Sequence, residues 1–197
     1  MKVVYSVCTH CGFTYKKPKY HVSPDDEKAL YDQHQNTMEN KGYVAMFNRF
    51  LSDAVHPFIE KGKALEFGSG PGPVLYELLR REGFDASHYD PFYHPDTTPL
   101  DETYDLITST EVFEHLSKPL ETTRRLSDLL KPGGYLAVMT TLRPQSDGTF
   151  LSWWYRRDKT HIAFYTHEAM QILASKNRLR LIHTNQKNHF TFKKESE

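Results

Sequence analysis

"ALEFGSGPGPV", residues 64–74, is an apolar run that stops in three glycines and two prolines. Glycines after a strand let backbone approach a ligand with no side chain in the way. A helix that starts just beyond presents free N–H groups and the positive end of its dipole to an anionic group. In an open α/β sheet such a turn lies past the carboxyl ends of the strands, where strand order reverses and ligands bind. Gly68, Gly70 and Gly72 fit that role, and Pro71 and Pro73 stiffen the turn and start the helix. The rival reading is the dinucleotide fingerprint G-x-G-x-x-G. Here the spacing is G-x-G-x-G, and Pro73 stands where the last glycine belongs. Glu66, two residues before the first glycine, would repel a pyrophosphate but suits a ligand carrying an ammonium group.

Strands and helices alternate from Lys63 onward. "KALEFG" reads as a strand, and "PVLYELLRREG" as a helix opened by Pro73 and closed by Gly83. "DASHYD" and "YDLITST" are strands, and "EVFEHL" opens the segment after them. "PLETTRRLSDLLKPGG" is a helix closed by Pro-Gly-Gly, "YLAVMTT" a central strand, and "THEAMQILASKN" a helix with a threonine N-cap. "RLRLIHTN" and "HFTFKK" are two strands too close together for a crossover helix, so they pair antiparallel. The pattern predicts an α/β fold: a Rossmann-like, doubly wound, mostly parallel sheet with an antiparallel C-terminal strand. Upstream, residues 1–20 read as a small hairpin around "CTHC". "SPDDEKALYDQHQ" is a helix with Ser23 as N-cap, Pro24 in its first position and acids in its first turn. A second helix is predicted from about Lys41 to Lys61, ended by Gly62. The expected division is an N-terminal hairpin and helical cap, residues 1–60, and a ligand-binding domain, residues 61–197.

Bulk properties narrow the function classes. Lysine plus arginine and aspartate plus glutamate both number 25, so net charge is zero, which argues against a nucleic-acid partner. No apolar run reaches the roughly 18 residues needed to cross a bilayer, and none is expected to. The apolar part of "MKVVYSVCTH" is too short for a signal peptide, and two cysteines make no disulfide framework. The expected location is the cytoplasm.

S-adenosylmethionine meets both demands of the glycine turn. Its α-carboxylate suits the backbone N–H groups, and its α-ammonium suits Glu66. Asp90, about twenty residues past the turn at the end of the second strand, suits a ribose diol. "LEFGSGPG", "YDP", "YDLITSTEVFEHL" and "LKPGGYLAVMT" resemble, in that order, the successive motifs of the class I S-adenosylmethionine-dependent methyltransferases. The chain is most similar to the small-molecule members that include quinone-biosynthesis enzymes, and the resemblance covers residues 40–197. It implies that Glu66, Gly68, Gly70 and Gly72 surround the methionine moiety and that Asp90 holds the ribose. It implies that Thr110 and Glu111 border the cofactor and open the substrate pocket, and that "KPGG" is structural. The function this implies is methylation of a small molecule, with an oxygen acceptor as the first guess. The competing class is a non-catalytic protein that binds the cofactor or its demethylated product, as a sensor or partner subunit. Pro73 and Glu66 argue against a third, a nicotinamide oxidoreductase.

The chain departs from the family between Asp90 and Tyr104, where "PFYHPDTTPLDET" is too short for the usual helix and strand. The third strand is therefore expected to be missing or reduced to a bridge, leaving the Asp90 strand at the edge. Phe92, Tyr93 and Leu100 are candidates for adenine-pocket walls; the alternative is that they cover an exposed sheet edge.

Methyl transfer from a sulfonium needs alignment and exclusion of water, and for a hydroxyl nucleophile a base. Histidine is the usual choice. His115 in "EVFEHL" and His161 in "DKTHIAFYT" both fall at the ligand end of the sheet. His161 is the first candidate, as base or substrate donor, against a hinge role. For His115 a base role competes with a capping or positioning role beside Glu111 or Glu114, and Glu114 is a candidate to orient either histidine, behind the reading as a solvated or locally paired acid. Trp153, Trp154 and Tyr155 would wall an apolar substrate, unless they are core; Arg156 and Arg157 would attract an anionic one, unless they are a solvated loop. Cys8 and Cys11 have metal-ligand spacing, but zinc wants four ligands. The segment resembles the second half of a zinc ribbon whose first cysteine pair is absent. Free thiols rank ahead of a zinc site completed by His10, His21 or a second chain, and that ahead of a redox pair. The first helices are expected to lie over the cofactor; contact of Tyr20, Tyr31 and His34 with it ranks behind helix-surface and core roles.

Overall fold

The computed structural model describes residues 3–33 and 36–196. Along the chain it contains β1 (Tyr5–Val7), β2 (Thr14–Lys16), α1 (Pro24–Tyr31), α2 (Lys41–Ala54), β3 (Lys63–Phe67), α3 (Val74–Arg81), β4 (Asp85–Tyr89), β5 (Tyr104–Thr110), α4 (Pro119–Leu129), β6 (Leu130–Met139), α5 (Asp147–Ser152), β7 (Ala163–Phe164), α6 (His167–Ser175), β8 (Leu179–Thr184) and β9 (His189–Lys194). Six strands form the main sheet in the order β4-β3-β5-β6-β9-β8. The first four are parallel, and β9 runs antiparallel to both β6 and β8. This is the predicted mostly parallel sheet with its antiparallel C-terminal strands.

The side-chain period of two divides the sheet into two buried faces. Leu65, Ile107, Leu136 and Val138 point to one face, where Leu126 of α4 and Met170 and Leu173 of α6 cover them. Ala64, Leu106, Ala137 and Met139 point to the other, covered by α2 and α3. Phe47, Phe50, Leu51 and Ala54 of α2 are at most 3% exposed. Burying each of the larger three stabilises the fold by about 2 kcal/mol. So α2, placed with the cap on sequence, supplies half of one covering layer. It stops at Ala54, seven residues before the expected end at Lys61. Pro57 is the physical reason: it disfavours helical geometry at His56 and can give no helical N–H.

The short stretch after Asp90 behaves as its length dictated. No third parallel strand lies beyond β4 among the described residues, and an isolated bridge joins Asp90 to His94. Leu100 is 5% exposed and packs with Tyr104 and Leu65, so it seals the sheet edge. "KPGG" also differs from expectation, because β6 begins at Leu130 and includes it. Pairing jumps from Tyr104 with Leu130 to Leu106 with Tyr135, so the Lys131–Gly134 stretch bulges out of register.

The CxxC hairpin forms as read, from β1 and β2, but it does not stand apart. β2 pairs antiparallel with β7, which makes a second, three-stranded sheet. Arg143 ties this sheet down, donating to the Gly12 carbonyl, to Thr14 Oγ1 and to Asp147. No helix among the described residues is long and apolar enough to cross a membrane.

Candidate functional site

Strand order reverses at β3, whose neighbours β4 and β5 lead away in opposite directions. The segments past the carboxyl ends of these three strands come together at the end of the sheet where open α/β folds bind ligands. β3 delivers Glu66, which is 2% exposed and lies beneath the glycine turn. Its Oε2 accepts from the Tyr76 N–H, 2.9 Å away in the first turn of α3. Burial pushes this carboxyl up to about 8; the Tyr76 N–H opposes that shift and the charge of Asp90 adds to it.

The turn itself needs its glycines. Gly68 has φ +83°, and a side chain there would run into Val112 after β5. Gly70 has φ +65°, and a Cβ on Gly72 would strike the backbone carbonyl of Asn36. The amides of Gly68 and Ser69 donate to the Tyr89 carbonyl, at 2.8 and 3.2 Å. Gly70 N–H donates to Asp90 Oδ2 at 2.9 Å. Asp90 Oδ1 accepts from Phe92 and Tyr93 N–H at 2.9 and 3.1 Å. The sequence reading turned these amides toward a ligand; at Gly68 and Gly70 they bind the end of β4.

α1 lies over the same end of the sheet. Ser23 caps it, accepting from Asp26 N–H, as its sequence indicated. Tyr31 sets its ring edge-on to Phe92 and to His115, with centroids 6.0 and 5.4 Å apart. Tyr93 OH donates to Asp32 Oδ1 at 2.6 Å. Phe92 and Tyr93 thus clamp α1 to the sheet edge, whereas Leu100 is core. Tyr20 is half-buried with its ring under Lys19. His34 lies outside the described residues.

β5 ends in Thr110, which is buried, and Glu111 follows with φ +54°, a conformation non-glycine residues seldom adopt. Its side chain reaches solvent although protein surrounds the carboxyl. That protein environment first, and the neighbouring Glu114 charge second, hold the Glu111 carboxyl well above the usual carboxylate range. Glu114 is completely buried and accepts from Thr140 Oγ1 at 2.8 Å and from Tyr155 OH at 2.5 Å.

His115 and His161 meet at this carboxylate. Their ring centroids are 4.8 Å apart, and His115 Nε2 is 4.0 Å from Glu114 Oε1. His161 Nδ1 is 2.7 Å from the Tyr155 carbonyl, and His115 Nδ1 is 3.2 Å from the Thr160 carbonyl. A carbonyl only accepts, so Nδ1 carries the hydrogen in His161 and Nε2 the lone pair. Burial pushes the His161 imidazolium toward deprotonation; the nearby Glu114 charge opposes this. One donor ligand atom from each of Glu114, His115 and His161 lies within 4.8 Å of the others.

Sequence reasoning brought these three together but missed the groups that hold them. Tyr155 was read as one of three aromatic walls, yet it is 2% exposed and orients Glu114. Trp153 packs on Phe150, Tyr155 and Phe164, and Trp154 is 68% exposed, so neither walls this cluster. Thr140 carried one faint signal, a hydroxyl ending the apolar run "YLAVM". Arg156 and Arg157 turn to the carbonyls of Leu151 and Ser152, not to the cleft, which removes them as anion guides. Cys8 is exposed and Cys11 buried, both as free thiols. His21 bonds the Lys16 carbonyl, and neither cysteine belongs to a group of three potential ligands among the described residues.

Comparison with known proteins follows the same line. A family model described as a methyltransferase domain matches residues 39–184. No curated protein sequence matches the chain. Among solved structures, CalO1, a methyltransferase in calicheamicin biosynthesis in its SAH-bound form, is similar with a TM-score of 0.59 and 14% identity over 88% of this chain. The mitomycin 7-O-methyltransferase MmcR is similar with a TM-score of 0.62 and 12% identity over 89% of this chain. This chain spans 59% of the length of each. At these identities the likeness is one of fold.

Proposed function

The chain belongs to the methyltransferase-domain family, and from that premise we propose that it methylates a small-molecule acceptor at the expense of S-adenosylmethionine. When bound, that cofactor supplies a methyl group on a sulfonium, whose leaving group is neutral. The residues present fit it. The side-chain-free glycine turn lies over a buried carboxylate, and the segment that carries the Asn36 carbonyl, which lies against Gly72, would move aside for the methionine moiety. Glu66 would pair with the α-ammonium, Gly68, Gly70 and Gly72 would border the methionine moiety, and Asp90 would hold the ribose. Phe92, Thr110 and Glu111 would border the bound cofactor. We propose residues 61–197 as the methyltransferase domain and residues 1–60 as the segment that closes over it.

The observation that carries the reading is convergence: the glycine turn, Asp90 and the Glu114–His115–His161 cluster share the one end of the sheet where strand order reverses. An acceptor hydroxyl in the cleft would give its proton to His161 Nε2, with Glu114 and His115 orienting the ring. Burial keeps that nitrogen unprotonated near neutral pH, as a base requires. The mitomycin 7-O-methyltransferase likeness accords with an oxygen acceptor.

Calorimetry with S-adenosylmethionine and with NAD tests the cofactor. Binding of the first and not the second is expected; the reverse overturns the reading. His161→Ala should then retain cofactor affinity within about twofold and lose at least about a hundredfold in turnover, the range of general-base removal. Unchanged turnover removes His161 from the reaction. Cofactor binding without turnover on any small-molecule acceptor selects the sensor class instead.

A further inference from the structure

We propose that Glu114, His115 and His161 form a binding site for one divalent transition-metal ion of the zinc class, placed in the acceptor pocket. The proposal deepens the methyltransferase reading and rests on it, because it assigns the same cluster a ligand of its own.

Donor chemistry and distance come first. Two imidazoles and one carboxylate are a donor set that suits zinc and its neighbours, with a position left open for an oxygen ligand. An ion about 2.0–2.2 Å from each donor needs those donors roughly 3–4 Å apart. Here all three lie within 4.8 Å of one another, so small side-chain rotations suffice.

Orientation is the independent observation. Metal-bound histidines almost always donate their second ring N–H to a carbonyl or carboxylate, which fixes the tautomer. His161 does so through Nδ1 to the Tyr155 carbonyl at 2.7 Å, and His115 Nδ1 faces the Thr160 carbonyl at 3.2 Å. In both rings Nε2 is therefore the nitrogen on the ligand side. Glu114 is held in the same way, by hydroxyls from Thr140 and Tyr155 on its two oxygens. Such second contacts hold all three donors in the orientation that a metal site needs.

The local field also favours a cation. Glu27 Oε1 lies 4.0 Å from His115 Nδ1, and Asp158 Oδ2 lies 3.8 Å from His161 Nε2. Among the described residues no lysine or arginine forms an ion pair with Glu27, Glu111 or Glu114. Several carboxylates thus surround two imidazoles in a protein with no net charge. With an ion bound, the His161 lone pair is a ligand, and an acceptor oxygen meets a Lewis acid where it would otherwise meet a base.

The test is titration of metal-free protein with Co2+, read by its visible absorption, and with Zn2+, read by competition against Co2+. Both use a Cys8→Ser background so that the thiol pair does not compete. One ion per chain is expected, without thiolate charge-transfer bands. His161→Ala and His115→Gln should each weaken binding by at least about tenfold, the lower end for disturbing a metal site. Glu114→Gln should do the same, and His115→Gln, at a half-buried position, keeps the test open if the buried variant fails to fold. Absence of a saturable Co2+ band, or equal affinity in folded His161→Ala and His115→Gln, overturns the metal site. S-adenosylmethionine calorimetry run alongside separates the two ideas. Cofactor binding without metal uptake sinks the ion and leaves the methyltransferase reading standing. Metal uptake without cofactor binding sinks the methyltransferase reading, and with it the assignment of the ion to an acceptor pocket.

Discussion

Glu66 is a carboxylate that the fold keeps from water with a single backbone donor for company. Its folded-state value, about 8, lies above the ordinary value of 4.5. Between those values the native state holds a proton that the unfolded chain releases, so stability falls as pH rises through that window. Glu66→Gln keeps an acceptor for Tyr76 N–H and removes the titration. In urea unfolding it should match the wild type near pH 4 and exceed it near pH 9, by up to about 5 kcal/mol. Parallel curves at all pH values would show that the carboxyl titrates normally. Glu66 and the glycines were visible as a ligand turn because spacing alone carries that signal. That Gly68 and Gly70 amides bind β4 was not visible, because Tyr89 and Asp90 are distant in sequence and join them only when β3 and β4 pair.

At the scale of elements, the β3–α3 turn and the segment after β5 are one interlocked piece. Gly68 sits at φ +83° under the side chain of Val112. Gly68→Ala meets two penalties, a left-handed backbone and a steric collision, together about 2–4 kcal/mol. Adding Val112→Ala should recover only the collision, so the double variant should unfold between the single variant and the wild type in a thermal melt. Full recovery would mean that the backbone there is not strained. The segment after α1 adds a second lock, since the Asn36 carbonyl lies against Gly72. A ligand carboxylate seated on that glycine therefore requires this segment to shift. Element ends were the least legible features. α2 ends at Ala54 because Pro57 outweighs an apolar pattern that runs further.

Across the whole molecule, the N-terminal sixty residues are woven into the rest. α2 buries four side chains on the sheet, β2 pairs with β7, and Lys16 Nζ donates to the Lys159 carbonyl at 2.7 Å. Lys16 and Arg143 thus brace the loop that carries His161. A fragment of residues 61–197 would uncover Leu75 and Leu79 of α3, both fully buried, and lose the strand that pairs with β7. It should show no cooperative thermal transition, whereas the full chain should. A sharp transition in the fragment would establish it as an autonomous domain.

The strands and helices of the main sheet from Lys63 onward, the missing third strand and the glycine turn follow from the sequence by itself, whereas α5 and β7 do not. Periodicity, capping residues and the length between Asp90 and Tyr104 are local properties, and local physics suffices to read them. The convergence of Glu114, His115 and His161, the turn of Tyr155 toward that cluster, and the bracing hairpin were decided only in the tertiary structure. They depend on contacts between segments 40 to 150 positions apart, such as Glu114 with Tyr155 and Thr14 with Phe164. No period or spacing records such a contact; it exists once the sheet has set the carboxyl ends of its strands side by side.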